Sequence, residues 1–318
     1  MKEKMEIYPN KNGNNNEIKV KYFKTPTNTI PVTNETINLE PKFISRDNDF
    51  LLNNYPGILE ITVIGSQSMS FGTKIKINKN GLMEKSLRNI NSNITYFGFI
   101  DDINLNNQNN ENSIDYLIPQ KKFEDENNDN LKFSGRFFRI FYNNKNLNYY
   151  LRDLGNCIGT YVKIFEPIIL KNNDMINIGD TYLIFNFEDS NNENEIIKND
   201  IINIKLSELN KNKESQNRSF SYNSNKKIIR IGRKKHNNDI ELEDSLVSKV
   251  NSNIQYYENE GWKIKDGNEI ISPTGQNKII HSTNGTWILA IDDFIIHENM
   301  IFKSNFNLFK CNFIQEIN

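Results

Sequence analysis

The chain reads as all-β, two β-sandwiches in tandem behind an N-terminal tail. Three observations lead there: many short strand-like runs at close spacing, the lack of any helical stripe longer than two turns, and two halves that can be laid over one another. With 318 residues the chain has room for about two domains. Hydrophobic residues make up only 36%, but 20 Phe and 13 Tyr are ample for packed cores.

Residues 1–54 are polar, rich in Asn and Thr with scattered Pro, and read as a disordered, low-complexity tail. The texture changes at Gly57. LEITVI (Leu59 to Ile64) and TKIKI (Thr73 to Ile77) are the first strand-like runs. RFFRIFY (Arg136 to Tyr142), NYYLRDL (Asn148 to Leu154), TYVKI (Thr160 to Ile164) and TYLIFNF (Thr181 to Phe187) follow. Each is β-branched or aromatic and bounded by Asn, Gly or Asp. These runs define a first domain over 55–189, interrupted by an acidic, Asn-rich loop at 101–130. Residues 190–200 read as a linker. A second domain over 201–318 opens with IINIKL (Ile201 to Leu206). It continues through a Ser/Asn loop at 210–226, KKIIRIGR, WKIKDG, NGTWILAI and FNLFKCNFI. Ser134 to Ile140 aligns with Ser248 to Ile254, and Ile158-Gly159-Thr160-Tyr161 with Asn284-Gly285-Thr286-Trp287.

Net charge is −1, so no global basic field favours nucleic acid or a membrane surface. The two cysteines, Cys157 and Cys311, lie in different halves and outside any CxxC. That argues against a disulfide framework or zinc site and for a reducing compartment, nuclear or cytoplasmic. The N-terminus has no apolar leader, and no stretch reaches the ~18 apolar residues of a membrane span.

The second half resembles the forkhead-associated (FHA) family. The matching residues are Ile231-Gly232-Arg233, Asn238-Asp239-Ile240, Leu242, Asp244, Val247-Ser248-Lys249, Trp262 to Gly267 and Asn284-Gly285-Thr286-Trp287. The resemblance implies a β-sandwich whose loops at one end bind phosphothreonine. It assigns the phosphate to Arg233, Ser248 and Lys249 and the peptide backbone to Asn284, with Gly232, Gly285, Thr286 and Asn251 in support. The chemistry suits those roles. A phosphate carries about −1.5 to −2 charge and three strong acceptors. A guanidinium meets it with a planar fork, a hydroxyl with a short donor, and a primary amide both donates and accepts. Asn251 departs from the family, which usually has His there, and Lys249 stands for the commoner Arg. The insertion NEIISPTGQNKIIHST after Gly267 is longer than usual.

The first half resembles the same family in frame more than in site. Ser134 holds the Ser position, but Phe99 stands where the phosphate Arg belongs, Ile158 replaces the backbone-holding Asn and Phe137 the His. Arg136 offers a charge from a different position, so Ser134 and Arg136 make at most a weak site. This half reads as an interaction or packing module.

Other features take plainer readings. Arg230, Arg233, Lys234, Lys235 and His236 form a basic run that serves as a phosphopeptide groove, a solvated loop or, least of all, a nucleic-acid contact. Asn284-Gly285-Thr286 is also a glycosylation sequon, expected by chance in so Asn-rich a chain. His236, His281 and His297 are isolated, and Trp262 and Trp287 are packing aromatics. No phosphate-binding Gly loop, nucleophile elbow or paired acid–base carboxylates appear, so no enzyme activity, cofactor, metal or small-molecule substrate is expected. The expected partner is a phosphothreonine-containing protein, and the expected role a non-catalytic adaptor in phosphorylation-dependent signalling. The alternative is a phospho-independent scaffold. Thr25, Thr27, Thr29, Thr33 and Thr36 of the tail are candidate phosphosites for another copy.

Overall fold

In the computed structural model the described residues are 3–8, 19–23, 57–88, 92–100, 113–120, 133–188, 201–208, 217–233, 237–258, 260–271 and 277–315. They are all-β, with no helix among them. The Thr cluster of the tail, most of the acidic 101–130 loop, the 190–200 linker, and Lys234, Lys235 and His236 lie outside them. In the N-terminal stretch read as a tail, Glu3–Tyr8 pairs antiparallel with Lys19–Phe23.

Two compact units form, and their composition differs from the sequential halves expected at 55–189 and 201–318. Among the described residues, one unit takes those up to Val162 together with Ala290 onward; the other takes those from Lys163 to Leu289. The segment LKNNDMINIGDTYLIFNF, read as the end of the first domain, belongs to the second unit. FNLFKCNFI, read as the end of the second domain, belongs to the first. Periodicity identifies a strand but not its partner, because every closing strand here carries the same alternation.

In the first unit one sheet runs Thr160–Lys163, Ile301–Ser304, Asn307–Ile314, Ile58–Ser66, Lys74–Asn78, Gly81–Leu82. The other runs Phe294–Ile295, Asn148–Asp153, Gly135–Asn143, Ile94–Phe99, Tyr116–Leu117. The core is aromatic. Phe97 stacks on Phe138 at 4.5 Å, Phe138 meets the edge of Phe302 at 5.4 Å, and Phe302 stacks on Phe309 at 4.9 Å. Aromatic pairs of this kind add about 0.5–1.5 kcal/mol beyond the area they bury.

In the second unit one sheet runs Asn217–Asn223, Ile201–Glu208, Thr181–Phe187, Met175–Ile178, Trp287–Leu289. The other runs Ile168–Ile169, Gly261–Asp266, Ser252–Tyr257, Ile228–Gly232, Ile240–Glu241. Its core is mainly aliphatic: Ile176, Leu183, Ile204, Ile231 and Ile254 are buried together with Trp262. Two stretches read as loop or insertion are strands. Asn217–Asn223, inside the expected 210–226 loop, pairs with Ile201–Glu208, and its half-buried Arg218, Phe220 and Tyr222 alternate with exposed residues. The expected insertion folds as a hairpin, Asn268–Ile271 against Asn277–Ile280.

Candidate functional site

The candidate residues of the second half come together on loops that follow three strands of the second unit. Arg233 follows Ile228–Gly232 and is exposed. Its backbone N–H donates to the Ser248 carbonyl at 3.0 Å, and its Nε donates to the Val247 carbonyl at 3.0 Å. A Cβ on Gly232 would lie 2.5 Å from the Lys249 carbonyl oxygen, so only glycine lets the Arg233 and Ser248 loops run this close. Asn238 adds a clasp, its Nδ2 donating to the same carbonyl at 2.7 Å.

Ser248 sits in the next loop, and its Oγ accepts the Thr283 N–H at 3.0 Å. Lys249 beside it is exposed. Asn284 is exposed too, and its Nδ2 donates to the Leu246 carbonyl at 2.7 Å. The turn it occupies is closed by Trp287, whose Nε1 donates to the Asn284 carbonyl at 2.8 Å. Gly285 stands at φ +78°, a left-handed conformation that a side chain would strain. Arg233, Ser248 and Asn284 are therefore held by one stretch of backbone, 246–248.

Beneath these loops lies a buried polar cluster. Asn251 accepts the Ser248 N–H on Oδ1, and its Nδ2 donates to Ser252 Oγ at 3.0 Å and Thr286 Oγ1 at 3.1 Å. Ser252 and Thr286 share a 2.6 Å hydroxyl contact. The buried Asp266 carboxylate accepts from Thr286 Oγ1 (2.7 Å), Ser282 Oγ (2.6 Å) and the Ser282 N–H (3.0 Å), with His281 Nδ1 at 3.3 Å. Ser252, Ser282 and Asp266 were not singled out as supports. The available signal is Asp266-Gly267 at the end of the WKIKDG run, since a carboxylate fixed at a strand end is a natural acceptor for loop donors.

Lys163 also reaches this region. A Cβ on Gly285 would lie 2.8 Å from its Cε, and its Nζ sits 5.9 Å from the Trp287 ring centroid and 5.2 Å from that of Phe165. Burial lowers its pKa, and the Asp266 charge works against that shift.

The equivalent positions of the first unit are arranged differently. Phe99 is half-buried at the Arg233 position, and Ser134 Oγ lies 3.5 Å from the Phe99 carbonyl. Arg136 lays its guanidinium over the Tyr96 ring at 3.8 Å, and its Nε donates to the Ser113 carbonyl at 2.9 Å. Phe137 and Phe138 replace Asn251 and Ser252 and are fully buried. Asp153, the counterpart of Asp266, keeps Thr160, the counterpart of Thr286, but has Asn156 where Ser282 stands. Desolvation pushes its pKa up to about 6, against hydrogen bonds from Gly155 and Thr160.

Among the described residues no group of three or more His, Cys, Asp or Glu side chains could hold a metal, and no helix is long and apolar enough to cross a membrane. No curated protein matches the chain as a relative. The FHA domain family model matches it twice, over residues 115–179 and 229–302. FHA domains are phosphopeptide-binding modules and generally non-catalytic. The second match spans Arg233, Ser248, Lys249, Asn251 and Asn284, and the first spans Ser134, Arg136, Phe137 and Ile158. The chain carries two FHA domains in tandem.

Proposed function

We propose that the loops Arg233, Ser248–Lys249 and Asn284–Thr286 bind a phosphothreonine segment of a partner protein, and that the chain serves as a non-catalytic adaptor. The observation that carries this reading is the shared scaffold. Arg233 Nε and Asn284 Nδ2 donate to consecutive carbonyls, Val247 and Leu246, one step from Ser248. Fixing Nε orients the guanidinium plane in advance, which cuts the entropy lost when a phosphate binds. Arg233 and Lys249 supply charge, Ser248 a hydroxyl, and Asn284 the amide that pairs with an extended peptide. Each charge-assisted bond contributes about 1.5–3 kcal/mol, so a few of them support modest, phosphate-dependent affinity. Two free, buried cysteines fit a reducing compartment, nuclear or cytoplasmic.

The first unit is read as phospho-independent. Phe99 and Ile158 stand at the guanidinium and amide positions, and Arg136 is engaged with Tyr96 and Ser113. Binding of the full chain to paired phosphothreonine and unphosphorylated peptides tests the reading. Binding that ignores the phosphate would leave the scaffold alternative.

A further inference from the structure

The segments that close the two units are copies of one another. Asn173 and Asn299 both take left-handed backbone, at φ +65° and +63°, as do Gly179 and Asn305, at +59° and +52°. Between these landmarks lie the strands Met175–Ile178 and Ile301–Ser304, and after them Thr181–Phe187 and Asn307–Ile314. The alignment extends without a gap back to Thr160 and Thr286. Ile168–Ile169 and Phe294–Ile295 occupy matching places, opposite Ile264 and Leu151 on equivalent strands.

Each copy closes the unit begun by the other repeat. Asn307–Ile314 lies along Ile58–Ser66, the opening strand of the first repeat. Thr181–Phe187 lies along Ile201–Glu208, the opening strand of the second. The chain passes from the first unit to the second at Val162/Lys163 and back at Leu289/Ala290, and Lys163 aligns with Leu289. Both family matches run across these points.

We propose that the two FHA repeats exchange their closing segments within one chain, and that first-repeat residues position the recognition loops of the second. The positioning half rests on the phosphothreonine reading above; the exchange does not. The Gly179-Asp180 turn of the first repeat sits against Asp244. Asp180 N–H donates to Asp244 Oδ2 at 2.8 Å, and a Cβ on Gly179 would lie 2.1 Å from that oxygen. Asp244 in turn takes the Leu246 N–H on Oδ1 at 2.8 Å and the Val247 N–H on its carbonyl at 3.1 Å. Leu246 and Val247 are the residues whose carbonyls hold Asn284 and Arg233. Lys163, also of the first repeat, packs its aliphatic stem beneath Gly285. Loss of Arg and Asn from the first repeat's own loops is thus compatible with a continued role for its closing segment.

Cysteine pairs in the full chain test the exchange with no peptide present. Thr62 lies opposite Lys310, and Lys205 opposite Ile184, the counterpart of Lys310. Exchange within one chain makes T62C/K310C oxidise to a disulfide in a monomer, mapped by peptide mass spectrometry, while K205C/K310C stays reduced. A K205C/K310C disulfide, absence of the T62C/K310C disulfide, or its formation only in a covalent dimer overturns the proposal. For the positioning half, Asp244→Ala should weaken a phosphothreonine peptide about tenfold. Asp244→Asn, whose single amide oxygen can serve only one of the Asp180 and Leu246 N–H donors, should recover only part of the affinity, with the Thr62–Lys310 cross-link unchanged in both. Affinity unmoved by Asp244→Ala overturns that half. If the parent chain binds no phosphopeptide while the cross-link forms, the phosphothreonine reading and the positioning half fail and the exchange stands.

Discussion

Asn251 accepts the Ser248 backbone N–H on its side-chain oxygen at 3.3 Å while its amide nitrogen donates to Thr286 Oγ1 at 3.1 Å. One buried amide therefore ties the Ser248 loop to the Asn284 turn, from the position where the family usually has His. An amide offers the same combination of one acceptor and a donor. Asn251→Ala should cost about 1–3 kcal/mol of stability by stranding buried partners and weaken phosphopeptide binding. Denaturant unfolding and peptide titration on the same variant check both effects.

Arg233 should not be replaceable by lysine. Arg233→Ala is expected to reduce phosphothreonine affinity by about ten- to a hundredfold, and Arg233→Lys to recover little of it. Lysine keeps the charge but loses the planar fork that Val247 orients. Fluorescence anisotropy with a labelled phosphopeptide measures both. The same titration should weaken below about pH 6, where the phosphate dianion takes up a proton and becomes a monoanion.

The buried Asp153 gives a pH signature of a different sign from the usual carboxylate. Its pKa is raised from 3.8 to about 6 in the folded chain, chiefly by desolvation. The native state holds a proton that the unfolded chain has already released. The stability from this group is full below about pH 4 and is lost as the pH rises through about 6. Asp153→Asn should therefore stabilise the protein at pH 8 relative to wild type by more than it does at pH 4. Chemical denaturation at the two pH values reads the difference directly.

Much of this was legible in the residues. The Gly232-Arg233, Ser248-Lys249 and Asn284-Gly285-Thr286 steps are sequence-local, so the family resemblance could pick them out, and the fold brings them to one backbone stretch. The strands Ile58–Ser66 and Gly135–Asn143 were visible as alternating runs for the same reason. What the sequence could not reveal is pairing. Thr181–Phe187 and Asn307–Ile314 present the same pattern to either opening strand, and only the tertiary arrangement decides which accepts them. The 210–226 segment reads as a loop because Ser and Asn dominate it, although Phe220 and Tyr222 keep a strand's alternation. The buried Asp266 cluster joins residues from separate strands and loops, a relation no local window contains.

Both cysteines should be silent toward thiol reagents in the native state. Burial pushes Cys157 up to about 12 and raises Cys311 as well, so almost no thiolate is present near neutral pH. Colorimetric thiol titration should find neither in buffer and both in denaturant.

The central claim is phosphate-dependent recognition through Arg233, and equilibrium binding of the full chain to a phosphothreonine peptide library tests it most directly. Phosphoserine and unphosphorylated libraries and an Arg233→Ala chain run beside it. Binding that requires the phosphate, favours threonine over serine and collapses with Arg233→Ala is the expected result. Binding indifferent to phosphate, or unchanged by Arg233→Ala, would contradict it.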